Sequence, residues 1–333
     1  MDNLRDFDIT HGPDKLKKIL ETEKGYDGIL LFSLEESLDW NNLFENLLPK
    51  LTEILGNLPY KIVVGDTCSI DKFGNEKILK ANPFLLKTVY NIKSGHPHNT
   101  EWNYNSNKGL ILTGKPNREN RIGFLIELAQ RGILKNHIYS LFKPQQDYII
   151  QRTKEIIKET SNYSYDRFFK LYENNPDNIP IRNTNIDMHY SGFPFSVDLF
   201  KDTIISVVLE TNLFSPNGNN PDFSEKTYKT IINKHPFIIL NQSNSLWFLR
   251  SYGFHTFQEY MQHPDYELET DLYLKNKLAA DNLVYFIKNY EKNKDEIKEK
   301  IEFNYNLMLK IHDDFKENYP SIYSALSREF FIR

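Results

Sequence analysis

Residues 223–240 read FSEKTYKTIINKHPFIIL, a polar helix start that runs into an apolar strand. Tyr228, Ile231 and Ile232 fall at the three- and four-residue spacing of one helix face. His235–Pro236 ends that helix, because proline cannot continue the hydrogen-bond ladder. FIIL at 237–240 is then a short apolar run of the kind buried on both faces of a parallel sheet. Helix and buried strand in immediate succession predict α/β layers. The same stretch poses a problem of charge. Asp222 and Glu225 have capping-box spacing, and Glu225 with Lys229 makes an i, i+4 pair, so the glutamate has an ordinary explanation. Lys226 does not, since it lies in the first turn, where the backbone already carries positive partial charge.

Outward from this stretch the pattern repeats. GILLFS (28–33), KIVVGD (61–66), GLILTG (109–114), HIYSLF (137–142) and TIISVVLE (203–210) read as buried strands. Helical spacing is expected over 41–55, 118–131, 148–159, 164–174 and 244–254, and mainly helix from 275 onward. Gly132 and Gly253 each sit just past a helix, with Ile133 and Phe254 placed as the apolar partners of a glycine cap. Residues 67–108 are turn-rich, and SGHPHNTEWNYNSNKG (94–109) reads as the least ordered piece. The expectation is therefore an α/β protein of two Rossmann-like domains facing a cleft, with a helical C-terminal tail. Residues 1–105 form the first domain, 106–290 the second and 291–333 the tail.

Composition narrows the chemistry. The 333 residues are 40% hydrophobic and 14% aromatic, enough for sizeable cores. Net charge is -4, so no broad basic field faces nucleic acid or anionic lipid. The single cysteine, Cys68, has nothing to pair with and fits a reducing compartment. No run approaches the roughly 20 apolar residues of a spanning helix, and MDNLRDFDITHG lacks a signal-peptide core. A cytoplasmic protein without a membrane partner is expected.

A second junction carries the same misplaced charge. TGKPNRENR (113–121) follows a strand, and Lys115, Arg118 and Arg121 lie at or before the first turn of the next helix. Cations there oppose the helix dipole by about 0.3–1 kcal/mol each, a sign that a bound anion reverses. Arg121, four and seven residues before Leu125 and Leu128, is the best placed of the three. Two strand-to-helix junctions with misplaced cations point to one negative ligand, and a nucleoside diphosphate has the charge and size.

The stretch 208–257, VLETNLFSPNGNNPDFSEKTYKTIINKHPFIILNQSNSLWFLRSYGFHTF, resembles the donor-binding half of GT-B glycosyltransferases related to the fucosyltransferases. That family carries a Thr-Glu-Lys signature, a helix, a "PF" strand and an "LR..GF.TF" helix-turn; here Ser224 replaces the threonine. LILTGKPNRENRIGFLIELAQRGILKNHIYSLF (110–142) is similar to the family's first donor-domain strand, arginine-bearing helix and second strand. The resemblance implies that Glu225 accepts hydrogen bonds from the ribose, and that Lys226 and Arg121 hold the pyrophosphate, with Lys115 beside them. Ser224 takes the signature threonine's place, Glu210–Thr211 lies near the donor, and Lys229 binds phosphate or pairs with Glu225. It also implies that the tail packs back towards the first domain.

The implied activity is transfer of a sugar from a nucleotide-diphosphate sugar to a glycan or other hydroxyl acceptor. The alternatives are transfer to modified bases of viral DNA, and a catalytically silent nucleotide- or glycan-binding protein of the same fold. The base should come from the first domain: Asp66 ends one strand, Glu35 follows another, and His96 and His98 lie in the connecting loop. Neither His96-x-His98, Asp6-Phe7-Asp8 nor Asp313–Asp314 has the neighbours of a metal site, so no divalent metal and no cofactor are expected.

Overall fold

The computed structural model describes residues 4–8, 13–22, 28–32, 48–57, 59–64, 78–80, 82–112, 119–140, 197–210 and 223–327. The chain is mixed α/β and divides into two compact units, Met1–His96 with Met308–Arg333, and Pro97–Leu307.

The first unit holds strands β1 (Leu4–Asp8), β2 (Gly28–Phe32), β3 (Tyr60–Val64) and β4 (Ile78–Lys80), with helices α1 (Pro13–Thr22), α2 (Leu48–Leu55) and α3 (Pro83–Lys93). The strands pair in parallel in the order β1-β2-β3-β4, with Leu4 opposite Gly28, Ile29 opposite Tyr60 and Ile62 opposite Ile78. Leu16 of α1, Ile29 of β2 and Leu51 of α2 have no accessible surface. At roughly 1.5–3 kcal/mol per buried aliphatic side chain, such contacts hold the layers together. The strand order never reverses among the described strands, so this sheet offers none of the crevice that a reversal opens.

Two of these elements depart from the sequence reading. Asp6 and Asp8 lie within the first strand, not ahead of it, because the backbone ladder to β2 overrides their polarity. Residues 83–93, read as part of a turn-rich stretch, are helical. Asn82 caps that helix by accepting from the N–H groups of Phe84 (3.0 Å) and Leu85 (3.2 Å), and Pro83 occupies the first turn.

The second unit holds β5 (Gly109–Leu112), β6 (Ile138–Ser140), β7 (Ile205–Leu209) and β8 (Phe237–Leu240). All pair in parallel in the order β6-β5-β7-β8, with Leu110 between Ile138 and Ser206, and Ser206 opposite Phe237. Every residue of β7 and β8 is buried, as an apolar run covered on both faces requires. The helices are α4 (Glu119–Gln130), α5 (Val197–Lys201), α6 (Glu225–Ile232), α7 (Ser245–Ser251) and α8 (Leu272–Asn289). The 25-residue α9 (Lys294–Asn318) follows; its residues from Met308 onward belong to the first unit, as does α10 (Pro320–Leu326), which packs against β1 there. Gly132 has φ 70°, and Ile133 N–H reaches Leu128 O at 3.1 Å, which closes α4 with the expected glycine cap. Gly253, at φ 89°, ends α7 in the same way.

Residues 97–108 are bonded throughout into this unit. Asn99 donates twice to Asn233, from its backbone N–H to Oδ1 and from Nδ2 to the backbone O, Trp102 Nε1 donates to Ile204 O at 2.8 Å, and Ser106 Oγ donates to Asp202 O. The stretch that reads as least ordered is thus an anchored strap, and the division falls at His96–Pro97, ahead of the expected 105.

Strand order positions the site. β5 has β6 on one side and β7 on the other, so the next strand after β5 lies to one side of the pair and the next strand after β7 to the other. The carboxyl ends of β5 and β7 flank this switch point, the crevice in which α/β sheets hold ligands.

Candidate functional site

β7 delivers Glu210 to that crevice. Its backbone N–H continues the ladder to Leu240 O at 3.1 Å, and the residue is 1% exposed. The carboxylate reaches forward to the start of α6. Oε1 accepts from Ser224 N–H at 3.1 Å and from Thr227 Oγ1 at 2.6 Å, while Oε2 accepts the Ser224 hydroxyl at 2.5 Å. Glu210 is therefore a clamp on the helix rather than an open ligand group.

Ser224 passes the clamp on. It is the N-cap of α6, and its Oγ accepts from Lys226 N–H at 3.3 Å and from Lys226 Nζ at 3.0 Å. A hydroxyl has one proton and two lone pairs, so these bonds and the one to Glu210 use its full capacity. Because Ser224 is the cap, Glu225 is the first helical residue and not the third, the place a capping box gives it; Asp222 lies outside the described residues.

The charges cluster here. Lys226 Nζ lies 3.2 Å from Glu225 Oε1. Desolvation works against ionising Glu225, but the positive charges of Lys226 and Lys229 outweigh it and pull the carboxyl down to about 2. Glu225 and Lys226 both keep part of their surface, whereas Lys229 is buried. Lys226, Lys229 and Thr230 line a narrow cavity with Leu110, Ser206 and Val208 of the strands beneath. Arg121 projects from the first turn of α4 and is buried, as its spacing to Leu125 and Leu128 requires. The arrangement presents a fixed ammonium and a partly exposed carboxylate side by side at a strand end. Such a pair can bind phosphate oxygens and sugar hydroxyls together.

Lys115, Thr211, Asp66 and Glu35 lie outside the described residues. His96 is exposed in the first unit, its backbone N–H bonded to Asn91 O at 3.1 Å. His98 belongs to the second unit, where its ring stacks on Tyr305 and its Nε2 lies 3.3 Å from the Tyr305 hydroxyl. Lys234 sits over the other partner of that stack, 4.6 Å from the Tyr305 ring centre. His98 thus packs the strap onto α9. Asp313 pairs with Lys93 and with His312. No three His, Cys, Asp or Glu side chains gather as metal ligands among the described residues.

Thr227 was not singled out in the sequence. Its signal was available: a hydroxyl three residues after the cap, in register to share a carboxylate with it. Neither a protein-family model nor a curated protein matches this chain.

Proposed function

We propose that the chain is a glycosyltransferase that moves a sugar from a nucleotide-diphosphate sugar to a hydroxyl acceptor, with the GT-B-like pairing of Rossmann-like domains that its resemblance implies. One observation carries the reading. The Lys226 ammonium is anchored at the switch point through Ser224 and Glu210, and sits 3.2 Å from Glu225. A surface lysine against a helix dipole needs no such support; a cation that must meet a phosphate at a fixed place does.

In this reading Glu225 holds the ribose hydroxyls, and Lys226, Lys229 and Arg121 neutralise the diphosphate. Negative charge grows on the leaving nucleotide as the glycosidic bond breaks, so cations fixed beforehand stabilise the transition state more than the ground state. The chemistry is then carried by side chains, with no divalent metal required.

Donor hydrolysis tests it. The protein is incubated with nucleotide sugars of each common base, without acceptor, and released nucleoside diphosphate is measured. Slow release from one donor class, abolished in Lys226→Ala, is the expected result. No release from any donor, with nucleoside diphosphates still bound, would make this a binding protein instead of an enzyme.

A further inference from the structure

The end of the helical tail is held by a chain of four polar side chains, all within the first unit. Lys93 Nζ of α3 lies 2.5 Å from Asp313 Oδ1 of α9, and His312 Nδ1 lies 3.0 Å from the same oxygen. His312 Nε2 lies 2.8 Å from the Tyr323 hydroxyl of α10. One imidazole thus joins three helices. Lys93 and Asp313 are open to solvent, whereas His312 is 1% exposed and Tyr323 9%.

The partners fix the protons. A carboxylate only accepts, so the Nδ1 facing Asp313 carries the proton of the neutral ring, and Nε2 accepts from the Tyr323 O–H. At neutral pH each of these groups is matched. A second proton on the ring has no such place. It stands on Nε2 against the proton of Tyr323, so that O–H must turn away from its acceptor in a buried site. It also charges a ring that water hardly reaches.

Burial lowers His312 below its ordinary 6.5, and the nearby Lys93 and Lys316 lower it further, while Asp313 opposes both. Tyr323 cannot supply a compensating anion, because burial, Tyr90 and Asp313 push its phenol up to about 12.

What the chain holds is a short helix on a sheet edge. α10 packs on β1, the outermost strand of its sheet among the described strands, and Leu326 has no accessible surface. Seven residues do not sustain a helix in water, so α10 keeps its form only through such contacts.

We propose that His312 is an acid-sensitive latch, which docks α10 on β1 while the ring is neutral and releases it when the ring takes a second proton. A phenylalanine there would hold by packing at any pH; histidine makes the hold conditional. Linkage sets the direction. The docked ring titrates below the released one, so the released state binds more protons, and docking is complete above pH 6.5 and weakens as pH falls. Release takes up one proton, so the equilibrium moves by at most about tenfold per pH unit.

The test is hydrogen exchange of the full chain, resolved by peptide and corrected for intrinsic rates, at pH 7.5, 6.5, 5.5 and 4.5. Below pH 6.5, protection of α10 should fall by up to about tenfold per pH unit, while β3 of the same sheet keeps its own. In His312→Gln, whose amide does not titrate, protection of α10 should be independent of pH. Lys93→Met, at an exposed position that leaves the buried ring in place, removes a cation that holds His312 down, and should flatten the response without abolishing it. Constant protection of α10 in wild type, equal losses in α10 and β3, or a response unchanged in both variants would each overturn the latch.

Discussion

Glu210 holds Ser224 twice, with Oε2 on its hydroxyl at 2.5 Å and Oε1 on its backbone N–H at 3.1 Å. A carboxylate at the end of one strand thereby fixes the first turn of a helix whose cap lies 14 residues later. Glu210→Ala leaves a buried N–H and two hydroxyls to find new partners, at a cost of about 1–3 kcal/mol for each group that does not. Urea denaturation should show the second unit destabilised by roughly 2–4 kcal/mol, with Glu210→Gln losing less because the amide keeps one acceptor oxygen. A loss no greater than that of an exposed substitution would mean that the clamp carries no energy.

Two buried histidines set the acid limit of stability. Burial lowers both His137 and His235 from 6.5 to about 4. His137 Nδ1 accepts from Gly109 N–H, and His235 sits between Ser206 Oγ and Thr203 O. Their folded values lie below the unfolded one, so the unfolded chain binds more protons between these limits. The stabilisation is complete above pH 6.5 and is lost as pH falls towards 4, about 3 kcal/mol for each imidazole. Denaturation at pH 7, 6, 5 and 4.5 should show stability falling throughout, less steeply in His137→Gln.

Gly132 gives a clean backbone test. It has φ 70°, and a Cβ built there meets nothing within 4 Å, so any cost comes from conformation alone. Gly132→Ala should lose about 1 kcal/mol, and Gly132→Asn less, because asparagine tolerates the left-handed region. Melting curves of the two variants decide it; a larger loss from Asn would contradict the account.

If Lys226, Lys229 and Arg121 supply the charge that meets the diphosphate, transfer should persist in excess EDTA. The check is an activity assay after chelation and again after adding magnesium or manganese. Complete loss, restored by the metal, would place the reaction in another mechanistic class.

Where local chemistry decided the structure, the sequence was readable. FIIL forms a strand over its whole length, and Gly132 with Ile133 closes α4 as spacing predicts. Backbone pairing hid β1, because acidic residues alternate through Leu4–Asp8 and read as solvated, while the ladder to β2 is indifferent to them. Asn82–Pro83 was a legible helix start that the surrounding turn residues obscured. Lys226 could be selected from its position against the dipole, and Glu225 as the carboxylate beside it in the same first turn. The clamp was legible only in its helical half, where Thr227 falls in register with the Ser224 cap; the pairing of both with Glu210 joins a strand end to a helix start through space.

The central claim is that Lys226 is held in place to meet a diphosphate. Calorimetric titration of a nucleoside diphosphate against wild type, Lys226→Ala and Glu225→Gln addresses it directly. Both variants should stay folded, since alanine is the better helix former and glutamine keeps the shape of glutamate. A charge-assisted hydrogen bond contributes about 1.5–3 kcal/mol, so affinity should fall roughly tenfold to a hundredfold in Lys226→Ala. Glu225→Gln should weaken nucleotide binding while leaving pyrophosphate binding intact. Unchanged nucleotide affinity in Lys226→Ala would contradict the account, and would reduce Lys226 to a cation that does no more than pair with Glu225 and Ser224.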